Sequence, residues 1–221
     1  MRITRTILLI IFWTIVIAFS VYFFFDNVVA YLFGYRSPLW GDRFFNNQFW
    51  VSMHLFGGTL ALFFGPVQFW EWLRKHYTSL HRNTGKLYMA GIVLIGISAF
   101  RLSLVSPCVP CRVSLFLLTV FAVLTTAFAW LAIKRRNIKV HRQMMVRSYV
   151  CVLAFVLVRI GGILPLDFLF GTVEDPLFAR VIQEYFWSFV PLIITEIFIT
   201  WWPQVSYMFK KGKGAGKKIN S

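Results

Sequence analysis

Apolar residues in this chain come in long, nearly uninterrupted runs rather than at alternate positions or on one helical stripe. Ile7–Phe25 and Val113–Ile133 carry no charge, and Leu87–Val105 carries only Arg101. Phe49–Leu73 is broken by His54 and Glu71, Val146–Leu164 by Arg147 and Arg159, and Phe186–Phe209 by Glu196 alone. A hydrocarbon core of about 30 Å is crossed by about 20 helical residues, so each run predicts a membrane-spanning helix. The expected fold class is all-α integral membrane: a six-transmembrane-helix bundle in one domain, residues 1–209, with spans at about 7–25, 49–73, 87–105, 113–133, 146–164 and 186–209. Residues 210–221, rich in lysine and glycine, are expected to form a flexible basic tail. Phe24-Phe25-Asp26-Asn27 offers no small-residue cleavage site, so the first run is expected to be retained as a span.

Composition agrees with that solvent. The 221 residues are 58% hydrophobic and 14% charged, against about 45–50% and about 25% in soluble domains. A formal charge of +15 points to nucleic acid only if the charges share one face, and they do not. Seventeen of the 23 Lys and Arg fall at the N-terminus, after spans two and four, at the start of span five and in the tail, while six of the eight acids fall on the other side. The positive-inside rule then places both termini in the cytoplasm of an inner (plasma) membrane, with the basic loops against anionic lipid.

The two long basic loops align at an offset of 60 residues: Leu80-His81-Arg82 answers Val140-His141-Arg142. Spans 2–3 and 4–5 are therefore expected to be two similar helical hairpins, with His81 and His141 at one depth. In span two, Gly57, Ala61 and Gly65 repeat every fourth residue, a stripe that lets another backbone approach closely. His54 and Gln68 lie near the same line and need partners.

The motif blocks His54-Leu-Phe-Gly-Gly, Gly65-Pro-Val-Gln68, Leu80-His81-Arg82-Asn-Thr-Gly85-Lys-Leu-Tyr88 and His141-Arg142-Gln-Met-Met-Val-Arg147-Ser-Tyr149, with Arg159-Ile160, follow in order. Over roughly Phe49 to Ile160 the chain resembles the prokaryotic integral-membrane family known as domain of unknown function 2306. The resemblance implies a multi-helix membrane protein and no particular activity.

Three groups of residues are candidates for chemistry. His81 and His141, with His54, are a candidate haem or metal-ion set, since two imidazoles at one depth on different helices suit such a centre. The alternative is that each His-Arg pair, including Arg82 and Arg142, holds lipid phosphate at a helix start. The second group is His54, Arg159 and Glu196, joined by Gln68, His81, Arg82, Tyr88, His141 and Arg142 in a candidate ligand-binding set. A carboxylate near mid-span needs a partner, and Arg159 or His54 would provide one in an outward-facing pocket between spans two, five and six. The alternative is a structural ion pair. The third is Cys108-Val-Pro-Cys111, which can close a local disulfide on the oxidising side. No P-loop, dinucleotide fingerprint, zinc spacing or hydrolase elbow is present in a suitable context, so no catalytic residue is assigned. The function classes that follow are a membrane redox protein holding haem or a metal ion, and a binder of a small ligand, quinone or lipid. The alternatives are a small-molecule transporter and a non-catalytic accessory subunit or scaffold, partnered by other membrane subunits or by copies of itself.

Overall fold

The computed structural model describes residues 2–34, 43–161 and 167–217, with side chains at 7, 9–34, 46–158 and 169–209. Among the described residues the chain is helical and has no strand. Six helical stretches are long and apolar enough to cross a membrane. Their helices are α1 (Arg2–Phe23), α2 (Arg43–Phe69), α3 (Thr78–Val105), α4 (Cys111–Lys134), α5 (Ile138–Gly161) and α6 (Pro176–Glu196).

Three of these helices begin eight to ten residues before the expected spans: α3 at Thr78, α5 at Ile138 and α6 at Pro176. Hydropathy drops at the first charged residue, but the backbone hydrogen bonds of a helix are local and continue through polar turns beyond the hydrocarbon. The start of α6 has its own signal. The Asp175 carboxylate accepts the Leu177 N–H at 2.9 Å and Pro176 opens the first turn. At its other end α6 passes through a wide turn, Ile197–Trp201, into a further helix, Trp202–Lys217. The expected flexible tail is thus helical to Lys217, because the hydrogen-bond ladder begun in the apolar span runs on without a break.

The chain weaves up and down. The heaviest packing is α2 on α3 and α4 on α5, followed by α3 on α4 and α5 on α6. The turn between α4 and α5 is only three residues long. Asn137 N–H returns to Ala132 O at 2.9 Å, and the Asn137 side chain accepts the Val140 N–H at 3.1 Å. Between α2 and α3 lies a short helix, Glu71–His76, in which Glu71 pairs with Lys75 at 2.8 Å. That ammonium holds the exposed Glu71 carboxyl below the usual carboxylate range. These two connections lie at what we call the basic end. The opposite end carries the α3–α4 loop with its Cys108–Cys111 disulfide.

Helix α5, one of the least apolar spans, sits at the centre and touches α1, α2, α4 and α6. Helix α1 is mostly exposed along its apolar length and docks chiefly through Trp13, which stacks on Phe69 (centroids 5.6 Å apart) and leans on Tyr149. This division follows from the solvent: polar side chains need protein around them, whereas apolar ones are as well solvated by lipid as by protein.

The small-residue stripe of α2 serves two neighbours. Gly57 and Ala61 meet Gly91 of α3, where a methyl group on Gly91 would stand 2.7 Å from Gly57 O and 2.9 Å from Ala61 N. Gly65 instead receives the ring of Tyr149 from α5. Gly91→Leu should therefore force α2 and α3 apart and cost about 3 kcal/mol, whereas Gly58→Ala, which meets open space, should be neutral. Thermal unfolding of the two variants in detergent measures the difference.

Candidate functional site

The polar residues of the bundle fall into three tiers along its axis. At the basic end, Gln68 lies over the first turns of α3. With its amide turned to suit its neighbours, the oxygen accepts the Gly85 N–H at 3.1 Å and the nitrogen donates to His81 Nδ1 at 3.1 Å and His81 O at 3.2 Å. His141 donates its Nδ1–H to Ala129 O at 2.9 Å, tying α5 to α4. Arg82 and Arg142 are exposed at this same end.

About 10 Å further along α3 and α5 comes the second tier. Tyr88, Ser148 and Thr126, from three different helices, form a buried chain with two links of 2.6 Å. Its direction is set by its last member, since Thr126 donates to the carbonyl of Ala122 at 2.8 Å. Ser148 must then donate to Thr126, and Tyr88 to Ser148. Beside this chain, Arg147 grips Glu196 in a forked pair: Nε meets Oε1 and Nη2 meets Oε2 at 2.8 Å. Thr200, in the wide turn after α6, accepts from Arg147 Nη2 at 2.6 Å and donates to Glu196 Oε2 at 2.8 Å. The carboxylate expected near mid-span beside Arg159 or His54 is therefore answered by Arg147 instead. The cause is the earlier start of α6: twenty residues from Pro176 bring Glu196 about 30 Å along the helix, toward the basic end. The side chain of Arg159 lies outside the described residues.

At the disulfide end is a cavity of about 620 Å³, lined by α2, α3, α4, α5 and α6. His54 projects from α2, with the edge of its ring against Phe155 of α5 (centroids 5.2 Å apart). Arg180, Gln183 and Glu184 come from the first turns of α6, Ser103 from α3 and Thr119 from α4, and the Cys108–Cys111 disulfide closes one wall. Ser103 and Thr119 donate to carbonyls of their own helices at 2.8 and 2.7 Å, so each hydroxyl is left with acceptor capacity only. His54 Nδ1 is buried and has no hydrogen-bond partner among the described residues.

These positions decide how well the three histidines suit a metal ion or haem. His81 uses Nδ1 as an acceptor, which puts the proton of the neutral ring on Nε2, whereas His141 uses Nδ1 as a donor and leaves Nε2 open. The two rings thus offer unlike nitrogens. His54 lies fourteen residues from Gln68 on the same helix, about 21 Å from the His81 level. Among the described residues no three His, Cys, Asp or Glu are close enough to share a metal ion. The expected His81, His141 and His54 set does not fit such a centre. Of the expected ligand set, Gln68 and His81 touch each other, Tyr88 lies in the middle tier, Glu196 pairs with Arg147, and His54 alone lines the cavity.

Comparison with known proteins adds the family. The model of the family described as predicted membrane protein (DUF2306) matches residues 51–199. The chain belongs to the DUF2306 family. The matched stretch takes in α3, α4 and α5, most of α2, and α6 to the middle of the wide turn that follows it, so it contains the residues of the three tiers except Thr200. No curated protein and no solved structure matches this DUF2306 chain. It is a membrane protein with six apolar helices, consistent with a multi-pass location.

Sequence reasoning missed Arg180, Gln183 and Glu184 because hydropathy started span six at Phe186. The Asp175-Pro176 cap-and-proline signature was the available signal, since a helix begun there puts Arg180, Glu184 and Ser188 four residues apart on one face.

Two tests concern the middle tier. Arg147→Met should destabilise the docking of α6 on the order of 3 kcal/mol by stranding Glu196, and the double variant Arg147→Met/Glu196→Met should recover much of that loss. A double-mutant cycle on Tyr88→Phe and Ser148→Ala should give a coupling of about 1 kcal/mol in detergent unfolding.

Proposed function

We propose that this DUF2306 chain binds a small molecule with a hydrogen-bonding head in the cavity at the disulfide end. The observation that carries the reading is His54: a buried imidazole nitrogen without a partner, on the wall of a cavity large enough for a ligand. Small-molecule sites occupy about 300–1,000 Å³ and combine apolar walls with a few convergent polar groups. Leu55, Leu102 and Phe155 supply the walls; His54, Gln183 and Arg180 supply N–H groups, and Ser103 and Thr119 supply oxygens. An imidazole that carries its proton on Nδ1 donates to an oxygen of the head and removes the cost of an unanswered buried group.

The same reading orients the protein. With the basic loops on the cytoplasmic side, as the positive-inside rule requires, the cavity faces the outer side of a plasma membrane, where a disulfide persists. A haem or metal role has less support, because the unprotonated nitrogen of His81 is taken by Gln68 and His54 stands about 21 Å from the His81 level.

Calorimetric titration of the purified full chain with a tail-less benzoquinone and with butyrate tests the reading. One of the two should bind saturably at a single site. His54→Leu should weaken that binding at least about tenfold, which is about 1.4 kcal/mol, with the unfolding temperature unchanged. If neither probe binds, or if His54→Leu binds as the parent does, the cavity is not a ligand site.

A further inference from the structure

A second, smaller pocket of about 40 Å³ adjoins the cavity on the side of α1. Its wall is apolar: Phe23, Phe24 and Val28 from the end of α1 and the wide turn that follows it, Leu62 and Gly58 from α2, and Val156 from α5. His54, Leu55 and Phe155 line both spaces, so the contact between the His54 and Phe155 rings stands between them. Resting on the cavity reading above, we infer that the two spaces are one bipartite site for a single-tailed amphiphile. Its oxygen-bearing head lies in the polar cavity, and its apolar tail passes the His54–Phe155 contact into the cleft beneath α1.

Five observations support this. The cleft and the cavity share His54, Leu55 and Phe155 as a wall, so the His54–Phe155 ring pair separates them. The cavity side carries His54, Ser103, Thr119 and Gln183 among its apolar walls, whereas the cleft beyond the ring pair is lined almost wholly by apolar side chains, which matches a molecule with a polar head and an apolar tail. The α1 side is the loosest wall of the bundle, since α1 is held chiefly by Trp13 and by the Phe24–Phe63 edge contact (centroids 5.4 Å apart). The wide turn Phe24–Val29 lies over the cleft and departs from regular helix there; such turns occur often at functional sites. Finally, Gly58 leaves the cleft open: a Cβ there meets nothing within 4 Å.

The head chemistry is that of hydrogen-bond-accepting oxygens, available from a quinone carbonyl or a fatty-acid carboxylate. Affinity alone does not reveal tail placement, because a tail leaving lipid for an apolar cleft gains little hydrophobic free energy. The test is therefore positional. The full chain in phospholipid vesicles is photolabelled with two probes carrying a diazirine in the tail, an alkylated benzoquinone and a twelve-carbon fatty acid, and adducts are located by mass spectrometry. For one probe, adducts should form at Phe23–Val28 and Gly58–Leu62 and be lost when the matching tail-less head, benzoquinone or butyrate, is in excess. Which probe responds names the source of the head. Gly58→Leu should abolish the cleft adducts while the tail-less head still binds, and His54→Leu should abolish both. Adducts spread over the lipid-facing sides of α1 and α6 and unaffected by the head overturn the inference but leave the cavity reading standing. Absence of binding by both tail-less heads overturns the two together.

Discussion

Hydrocarbon offers no hydrogen-bond partner, and the arrangement of this bundle follows from that. Every polar side chain carried into a span must be answered by its own backbone, by another helix, or by a ligand. Most of the buried hydroxyls here take the first route, donating one turn back along their own helix, as Ser98 does to Leu94 O at 2.6 Å. Arg147, Glu196, Gln68, Tyr88 and Ser148 cannot be answered that way, and each is met by a neighbouring helix. These cross-helix bonds determine which helices stand together.

The central place of α5 is one result. It carries Arg147, Ser148 and Tyr149 in succession, and they reach α6, α3 and α2 respectively. A helix with polar groups on several sides is stable in lipid only when surrounded by protein, whereas α1 asks for nothing and remains at the rim. Close backbone approach does the rest, with Gly57 and Gly91 letting α2 and α3 meet at van der Waals distance. Among the described residues Ser114 Oγ, Arg147 Nη1, Trp187 Nε1 and His54 Nδ1 are buried without a hydrogen-bond partner, and of these four residues His54 alone lines the cavity. Its Nδ1 is answered neither by its own helix nor by another, and it borders a cavity of about 620 Å³.

Much of the site was half legible. The stripe Gly57-Ala61-Gly65 could be read as a packing face, though not that its members serve different partners: the register of α3 against α2, and of Tyr149 against Gly65, is set by side-chain volumes on three helices at once. The 2.6 Å hydrogen bond between Tyr88 of α3 and Ser148 of α5 could not be read from the chain, because it depends on how the two helices are rotated toward each other. The partner of Glu196 was out of reach, because it depended on where α6 begins. A hydropathy boundary misplaced by ten residues shifts a helix by about 15 Å, half of a bilayer core.

The amino-acid sequence alone determined the solvent, the number of apolar spans and the separation of basic from acidic loops, since these depend on composition and on contiguous runs of residues. It also supplied the family, through motif blocks that stay in order along the chain. The tertiary structure decided which polar groups cancel one another and which is left over. That outcome depends on the depth and rotation of five helices relative to each other, and neither is a property of any one segment. A histidine with a partner and a histidine beside a cavity look the same in a sequence, and only the packing of α3 to α6 around α2 and its His54 distinguishes them.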